Sequence, residues 1–267
     1  MFSPYYYWAG RRAPRNHCSI NVGLYGADHY RWTMTERSAN ALKTTADSYE
    51  LGPSSAHWDG TSMIIDIDEF SVPFPRKVQG RVKVTPHFLT ERHYQLDTEG
   101  RHFWQPFGPL GRIEVEMTKP ALRFAGDGYF DSNWGSEPLE AGFSVWDWSR
   151  GHHGKQATIL YDAIRRDESN YCLGLTFNED GSVREFAPPG RATMAPGFWR
   201  LPRSIRSDGP AKVLRTFEDS PFYCRSLVEH QLHGQTRHAM HESLSLNVFR
   251  KPWLKCMLPV RMPRRTR

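Results

Sequence analysis

An alternation of apolar and polar residues with period two recurs along this chain of 267 residues. It is clearest in five segments, which are residues 19–25, 63–68, 80–84, 112–117 and 243–248. Successive side chains of a strand point to opposite faces, so this period predicts strands with one buried and one solvated face. Many of the 21 glycines and 19 prolines cluster between such segments and predict turns. The sequence therefore predicts an all-β fold of antiparallel sheets closing into barrels or sandwiches, with little helix.

A chain of this length can form one large β unit or two smaller ones. The one weak helical pattern covers residues 35–43. Residues 120–128 end a predicted strand and open the most aromatic part of the chain. We therefore predict an N-terminal β domain over residues 1–124 and a C-terminal β domain over residues 125–267, the latter ending in a basic tail.

The chain carries 35 Lys and Arg against 29 Asp and Glu, a net charge of +6. Much of this excess lies near the two ends, in Arg11, Arg12, Arg15, Arg261, Arg264, Arg265 and Arg267. A basic surface attracts nucleic acid or anionic lipid head groups. The basic residues follow no known nucleic-acid-binding module, so nucleic acid is not expected as a partner. Solvated termini are the alternative to membrane attraction.

Neither a signal peptide nor an uninterrupted apolar stretch of membrane-spanning length is evident in the sequence. The four cysteines lie far apart and form no CxxC motif, which favours reduced thiols over a zinc ribbon or redox pair. Together these features predict a cytoplasmic protein.

The densest group of chemically useful residues is the segment GYFDSNWG at residues 128–135. Tyr129 and Asp131 are two residues apart, so in a strand they share one face, with aromatic neighbours. Burial raises the pKa of a carboxyl group because it penalises the anion, so Asp131 is a candidate proton donor at neutral pH. The alternative is that Asp131 caps a turn or pairs with an arginine.

His102 and Trp104 alternate onto one face of an upstream segment. Histidine is the usual acid or base near neutral pH, although a lone histidine such as His102 is more often structural. His152-His153 and the pair His238 and His241 lack a nearby carboxylate in a known ligand motif, so no metal is predicted. Nucleophile elbows and phosphate-binding loops are absent from the sequence. The remaining chemistry is acid catalysis in an apolar pocket.

Eight segments spread over nearly the whole chain resemble the carotenoid 1,2-hydratase family, also called hydroxyneurosporene synthases. They are residues 2–8, 16–26, 32–37, 65–69, 100–106, 128–140, 146–150 and 241–246. That family in turn resembles tandem lipocalin-like proteins, which implies two lipocalin-like antiparallel β-barrel halves around a ligand cavity. Its members usually have a segment before the position of Met1, so the resemblance implies either an upstream start or a first half that lacks its first strand.

The resemblance implies a hydro-lyase that adds water to the terminal C1=C2 double bond of acyclic carotenoids, in the carotenoid biosynthesis of photosynthetic bacteria, without a cofactor. Its functional positions fall on His102, Trp104, Tyr129 and Asp131. We expect Asp131 to protonate carbon 2, and Trp104 and Tyr129 to stabilise the resulting cation. His102 then positions the water or accepts its proton. Three further tryptophans are expected to line the substrate pocket, with a place in the core as the alternative, and they are Trp134, Trp146 and Trp148.

Such a substrate dissolves in membranes, so we expect a peripheral membrane protein whose basic tail, residues 251–267, is an interfacial segment. A frayed tail is the alternative. Two other functions stay open. One is a non-catalytic lipocalin-like carrier of an apolar ligand, and the other is a cyclase or isomerase that uses the same acid. Only hydration makes a product heavier by one water.

Overall fold

A computed structural model describes residues 2–26 and 30–265, and antiparallel strands dominate them. The elements up to residue 119 are α1 (Pro4–Trp8), β1 (Cys18–Leu24), β2 (Arg31–Arg37), β3 (Leu42–Thr44), β4 (Ser48–Leu51), β5 (Ser54–Trp58), β6 (Met63–Phe70), β7 (Lys77–Pro86), β8 (Tyr94–Gln95) and β9 (His102–Lys119). Short 3-10 helices cover Pro14–Asn16 and Ala39–Ala41.

The remaining elements are β10 (Ala121–Gly135), α2 (Leu139–Gly142), β11 (Phe143–His153), β12 (Gln156–Arg165), β13 (Asn170–Asn178), β14 (Val183–Phe186), β15 (Arg191–Met194), β16 (Arg203–Arg206), β17 (Lys212–Asp219), β18 (Tyr223–Leu232), β19 (Gln235–Ser245), α3 (Leu246–Phe249), α4 (Pro252–Met257) and β20 (Arg264–Arg265). A third 3-10 helix covers Leu258–Val260. The predicted all-β class with little helix is confirmed.

The helix predicted over residues 35–43 is wrong. These residues instead complete β2, pass through the 3-10 helix Ala39–Ala41 and begin β3. Pairing with β1 holds the first of them extended, with Thr35 opposite Ile20 and Arg37 opposite Cys18. Tertiary pairing therefore overrides a weak local helical pattern.

The chain forms two compact units that interleave along the sequence. The first unit comprises Met1–Pro86, Gly111–Tyr129 and Pro252–Arg267, and the second comprises His87–Leu110 and Phe130–Lys251. The strands β9 and β10 are both divided, so that one part of each strand belongs to the first unit and the other part to the second. Neither compact unit is continuous in sequence. The predicted division into two domains at residues 124 and 125 stays a prediction.

The main sheet of the first unit has the strand order β10-β9-β7-β6-β5-β4-β3. Its core is the cluster of Ile67, Val78, Val115 and Met117, against which β1 packs through Val22 and Leu24. Val115 and Met117 are two residues apart, so the alternation of β9 directs both into this core. The core of the first unit thus rests on the period-two pattern seen in the sequence.

One buried carboxylate, that of Glu36 in β2, holds both ends of the described chain. Ser3 Oγ and Arg264 Nη1 donate hydrogen bonds to it, and His17 Nδ1 lies 2.8 Å from its Oε1. Beside it, β20 pairs with β2 in parallel, with Arg264 opposite Glu36. The alternative of a frayed tail is therefore wrong for residues 252–265, which are folded onto the first unit.

The second unit is built on an antiparallel sheet with the order β14-β13-β12-β11-β19-β18-β17. The ribbon β15-β16 packs on one face of this sheet through a cluster of Met194, Ile205, Val228 and Ala239. Within the same unit, β8 pairs with the first part of β9, which places Tyr94 opposite Trp104. This pairing positions two of the predicted site residues, His102 and Trp104.

Candidate functional site

Trp104 and Asp131, which lie on different strands of the second unit, are in direct contact. The buried indole of Trp104 donates a hydrogen bond from Nε1 to Asp131 Oδ2 at 2.7 Å. The two residues are 27 positions apart in sequence. The structure therefore brings together two of the predicted catalytic residues.

The surroundings of Asp131 differ from the predicted ones. The sequence predicts a carboxyl group buried among rings, whereas Asp131 as a whole is exposed, with one oxygen on the indole of Trp104. The reason is its strand, because β10 lies at the end of the sheet order and has one neighbour, β9, within residues 2–26 and 30–265. Within this sheet, a side chain on such an edge strand has a neighbouring strand on one side only.

Aromatic rings fill the space behind Trp104. Contacts with ring centroids 4.9 to 5.4 Å apart join six side chains in a row, and these are Tyr94, Trp104, Tyr161, Trp146, Phe143 and His102. Edge and tilted ring contacts of this kind stabilise beyond the area that they bury. Trp146, predicted to bind substrate, is a buried member of this row.

Tyr161 and Asn133 also belong to this neighbourhood, and the sequence prediction did not select them. Tyr161 donates a hydrogen bond from its hydroxyl to Asn133 Oδ1 at 2.9 Å. Burial raises the pKa of Tyr161 well above its ordinary value, and the negative charge of Asp131 raises it further. Asn133 follows Asp131 by two residues, so strand alternation could have found it, whereas Tyr161 lies on β12 and is 28 residues from Asn133 in sequence.

The other two predicted substrate-binding tryptophans lie elsewhere in the second unit. Trp134 is exposed and stacks on Phe103, with centroids 5.6 Å apart and planes 15° apart. Its neighbours Asp131 and Asn133 point to the opposite face of β10. Trp148 is half-buried and lies opposite Tyr161 in the ladder of β11 and β12. Binding of substrate by these tryptophans stays a prediction.

His102 is buried at the start of β9 and has an acidic partner. Its Nε2 lies 3.2 Å from Oε1 of Glu137, whose other oxygen accepts a hydrogen bond from Arg101 Nη1 at 2.9 Å. The backbone N–H groups of Arg101 and His102 both donate to Asp97 Oδ1, at 2.9 and 3.1 Å. The sequence prediction missed Glu137, since 35 residues separate it from His102.

Two glycines leave room for the imidazole of His102. A Cβ atom on Gly142 would lie 2.8 Å from Nε2, and one on Gly135 would lie 3.0 Å from Nδ1 and 2.5 Å from the carbonyl oxygen of Arg101. Any larger residue at these positions would displace the ring or the backbone beside it. The imidazole is therefore held between main chain on one side and Glu137 on another.

Tyr129 is the fourth predicted catalytic residue. It is half-buried and ends the part of β10 that belongs to the first unit. On this strand it precedes Asp131 by two residues. Its catalytic role stays a prediction.

A second carboxyl group, Asp147, lies on the opposite face of β11 from Trp146 and Trp148. Burial raises the pKa of Asp147 to about 7, although Ser243 and Ser204 donate hydrogen bonds that lower it in part. Burial also lowers the pKa of nearby His241 to about 3. His241 Nε2 lies 4.0 Å from Asp147 Oδ1. At pH 6 both side chains are thus mainly neutral, which suits a buried pair.

Because the folded pKa of Asp147 lies above its ordinary value of 3.8, the folded protein holds a proton there that the unfolded chain releases. The contribution of Asp147 to the free energy of unfolding therefore falls as the pH rises from about 4 to about 7. The substitution Asp147→Asn removes this ionisation and is expected to raise the free energy of unfolding at pH 8 relative to pH 5. Urea unfolding at both pH values measures this, and an unchanged difference between them would contradict the buried neutral acid.

Residues 2–26 and 30–265 contain no cluster of three or more His, Cys, Asp or Glu side chains that could hold a metal ion. The helices of this described part are all too short or too polar to cross a membrane.

Solved structures share the fold. A crystal structure of an AttH protein from Nitrosomonas europaea matches with a TM-score of 0.54 and 13% identity, covering 82% of this chain and 76% of that chain. A crystal structure of CghA matches with a TM-score of 0.55 and 12% identity, covering 88% and 81%. These lipocalin-like neighbours confirm the predicted fold class.

Sequence relatives are much closer. The acyclic carotenoid 1,2-hydratase of Thiocapsa roseopersicina is 47% identical over 270 residues, which cover 99% of this chain and 67% of the relative. The enzyme of the same name from Cereibacter sphaeroides is 42% identical, with 99% and 95% covered. The family model for carotenoid hydratase CrtC matches residues 1–267. The predicted resemblance is thereby confirmed, and the chain belongs to the carotenoid hydratase family CrtC.

Proposed function

We propose that this protein is a hydro-lyase that adds water across the terminal C1=C2 double bond of an acyclic carotenoid such as neurosporene or lycopene. The family and the names of its relatives support the reaction. The structural observation that carries it is the hydrogen bond between Trp104 Nε1 and Asp131 Oδ2, which fixes a carboxyl group beside a buried aromatic cluster. The reaction changes no oxidation state and needs no cofactor.

Protonation of carbon 2 starts the proposed reaction and leaves a tertiary cation at carbon 1. Asp131 is the proposed proton donor. Because this residue is exposed in the protein alone, we propose that the apolar end of the substrate covers it and removes water from the carboxyl group. Removing water disfavours the charged carboxylate and favours the protonated acid that the first step needs.

Trp104 and Tyr129 are the proposed stabilisers of the cation. A cation over an aromatic face is stabilised by about 0.5 to 2 kcal/mol, and the upper value applies when water is excluded. The hydrogen bond to Asp131 fixes the plane of the Trp104 indole, and Tyr94 and Tyr161 pack on that ring. This packing supports the proposal that Tyr94 and Tyr161 orient the Trp104 indole.

His102 is proposed to position the attacking water or to accept its proton. When Nε2 carries a hydrogen and donates it to Glu137, the lone pair of the neutral ring is on Nδ1. The carboxylate of Glu137 is itself held by Arg101. Glu137 is therefore a positioning residue that selects one tautomer of His102.

The substitution Glu137→Gln tests this positioning role. We expect kcat to fall at least about tenfold with KM little changed, because loss of the oriented tautomer of His102 affects the addition of water and not substrate binding. A matched control is Glu99→Gln, since Glu99 also pairs with Arg101 but has no bond to His102 among those described. Nitrogen NMR of the imidazole should show the tautomer changing only in Glu137→Gln. Equal kcat in both variants would contradict the assignment.

Product analysis in oxygen-18 water tests the reaction itself. Incubation of the purified protein with lycopene is expected to yield a product heavier by one water, with the heavy oxygen on carbon 1. Tight binding without a product would select a non-catalytic carrier. A product of unchanged mass would select a cyclase or isomerase.

The partner of this chain is thus an acyclic carotenoid, and we propose a cytoplasmic location with peripheral attachment to the membrane that holds it. The support is chemical, because such a hydrocarbon partitions into the bilayer and the chain has a basic excess of +6.

A further inference from the structure

The positive charge of the chain is concentrated in two terminal stretches that fold into the same unit. Residues 1–26 and 252–267 contain eight Lys and Arg and no Asp or Glu. In the rest of the chain, the remaining 27 Lys and Arg are outnumbered by 29 Asp and Glu. The net charge of +6 therefore comes entirely from the two terminal stretches.

The fold places these stretches side by side. Lys255 Nζ of α4 lies 5.4 Å from the centre of the Tyr7 ring in α1. The guanidinium of Arg264 lies 5.8 Å from the ring of Tyr5 in the same helix. Two segments that are some 250 residues apart in sequence thus form one surface region.

The outer side of the C-terminal stretch is apolar. Trp253, Met257 and Val260 are 47%, 42% and 62% exposed, whereas Leu254 and Leu258 are buried beneath them. The three exposed residues have the spacing i, i+4 and i+7, which places them on one side of a helical segment. Large apolar side chains grouped in this way indicate an interaction surface.

The N-terminal stretch adds aromatic and basic groups to this region. Trp8 is 51% exposed and packs edge-on against Tyr5. The guanidinium of Arg11 lies 5.3 Å from the centre of the Tyr7 ring, and the neighbouring Arg12 is exposed. Tryptophan together with arginine is typical of segments that lie in the interface of a membrane.

We propose that this terminal face, formed by Trp8, Arg11, Arg12, Trp253, Met257 and Val260, docks on anionic lipid head groups. Its apolar side chains enter the interfacial layer and its arginines contact the acidic head groups. The purpose of the docking rests on the proposed function, because the bilayer is where an acyclic carotenoid dissolves. The docking itself is a property of the surface and is measurable without substrate.

The test is binding of the full chain to vesicles of phosphatidylcholine with 30% phosphatidylglycerol, compared with phosphatidylcholine alone. We expect binding to the anionic vesicles that weakens with added salt, because salt screens surface charges. Arg12→Glu changes the surface charge by two and is expected to weaken binding by about 30-fold, given about 1 kcal/mol for each charge at the surface. Arg76→Glu is the control, because Arg76 is exposed in the same unit outside the terminal face.

The apolar part has its own matched pair. Trp253→Ala is expected to lower the vesicle partition coefficient several-fold. Trp199 is 44% exposed but belongs to the second unit, so Trp199→Ala should leave this coefficient unchanged. Absence of vesicle binding, equal binding to neutral vesicles, or equal effects of test and control variants would overturn the docking proposal. Hydration is assayed separately in detergent micelles. Binding to anionic vesicles without hydration would overturn the proposed reaction alone. Hydration together with equal binding to anionic and neutral vesicles would overturn the docking alone.

Discussion

Asp131→Asn is expected to lower the rate of lycopene hydration by about 10³-fold, since removal of a general acid typically costs two to four orders of magnitude. The amide has nearly the same shape as the carboxyl group, and its oxygen can still accept the hydrogen bond from Trp104. What it lacks is a proton acidic enough to transfer to an alkene carbon. The loss should therefore appear in kcat, with the fold retained.

The measurement is product formation under saturating substrate, with circular dichroism and thermal unfolding as checks on the fold. Asp127→Asn is the matched control, because Asp127 is an exposed aspartate on the same strand. We expect the control to keep activity within about twofold, as surface substitutions usually leave a distant step unaffected. Near-normal turnover of Asp131→Asn would exclude this carboxyl group as the proton donor.

Asp162→Ala is expected to lower the free energy of unfolding by about 3 to 5 kcal/mol, the usual cost of removing one partner from a buried ion pair. Asp162 in β12 is buried and accepts paired hydrogen bonds from Arg191, at 2.7 and 2.8 Å, and from Arg206, at 2.8 and 3.1 Å. The substitution leaves two guanidinium groups with no carboxylate between them. The ribbon β15-β16, which carries both arginines, should then detach more easily from the main sheet.

The same contact has a defined pH dependence. Burial alone raises the pKa of Asp162, but the hydrogen bonds from Arg191 and Arg206 outweigh it and lower the pKa below 3.8. Its stabilising contribution is therefore complete above the unfolded pKa and is lost as the pH falls through the folded one. Asp66→Ala is the control, since Asp66 makes a similar paired contact with Arg81 at the surface and should cost about 1 kcal/mol or less. Equal losses in urea unfolding would refute the distinction.

Strand content was predictable because the period-two pattern is local. The residues 112–117 alternate in the sequence, and the structure places Val115 and Met117 in the core while Glu114 and Glu116 point away. The failed helix over residues 35–43 shows the limit of such patterns. The state of Glu36 and Arg37 is decided by partners that lie far away in sequence, namely Arg264 and Glu69.

The candidate site was predictable only where its residues share a strand. His102 and Trp104 were found as a pair, and so were Tyr129 and Asp131. Glu137 and Tyr161 were not selected, because their contacts with His102 and Trp104 join elements whose pairing the sequence does not reveal. The exposure of Asp131 was also not predictable, since it depends on the position of β10 in the sheet order.

The carboxylate of Glu36, which accepts hydrogen bonds from Ser3 and Arg264, makes the segments around these two residues depend on each other. A buried carboxylate is stabilised by its hydrogen-bond donors, so the loss of either donor leaves a buried charge that is costly in free energy. Removal of the segment around Ser3 should thus loosen the segment around Arg264, and the reverse should also hold. Substitutions at Ser3 and Arg264 are therefore expected to cost as much as substitutions at interior positions.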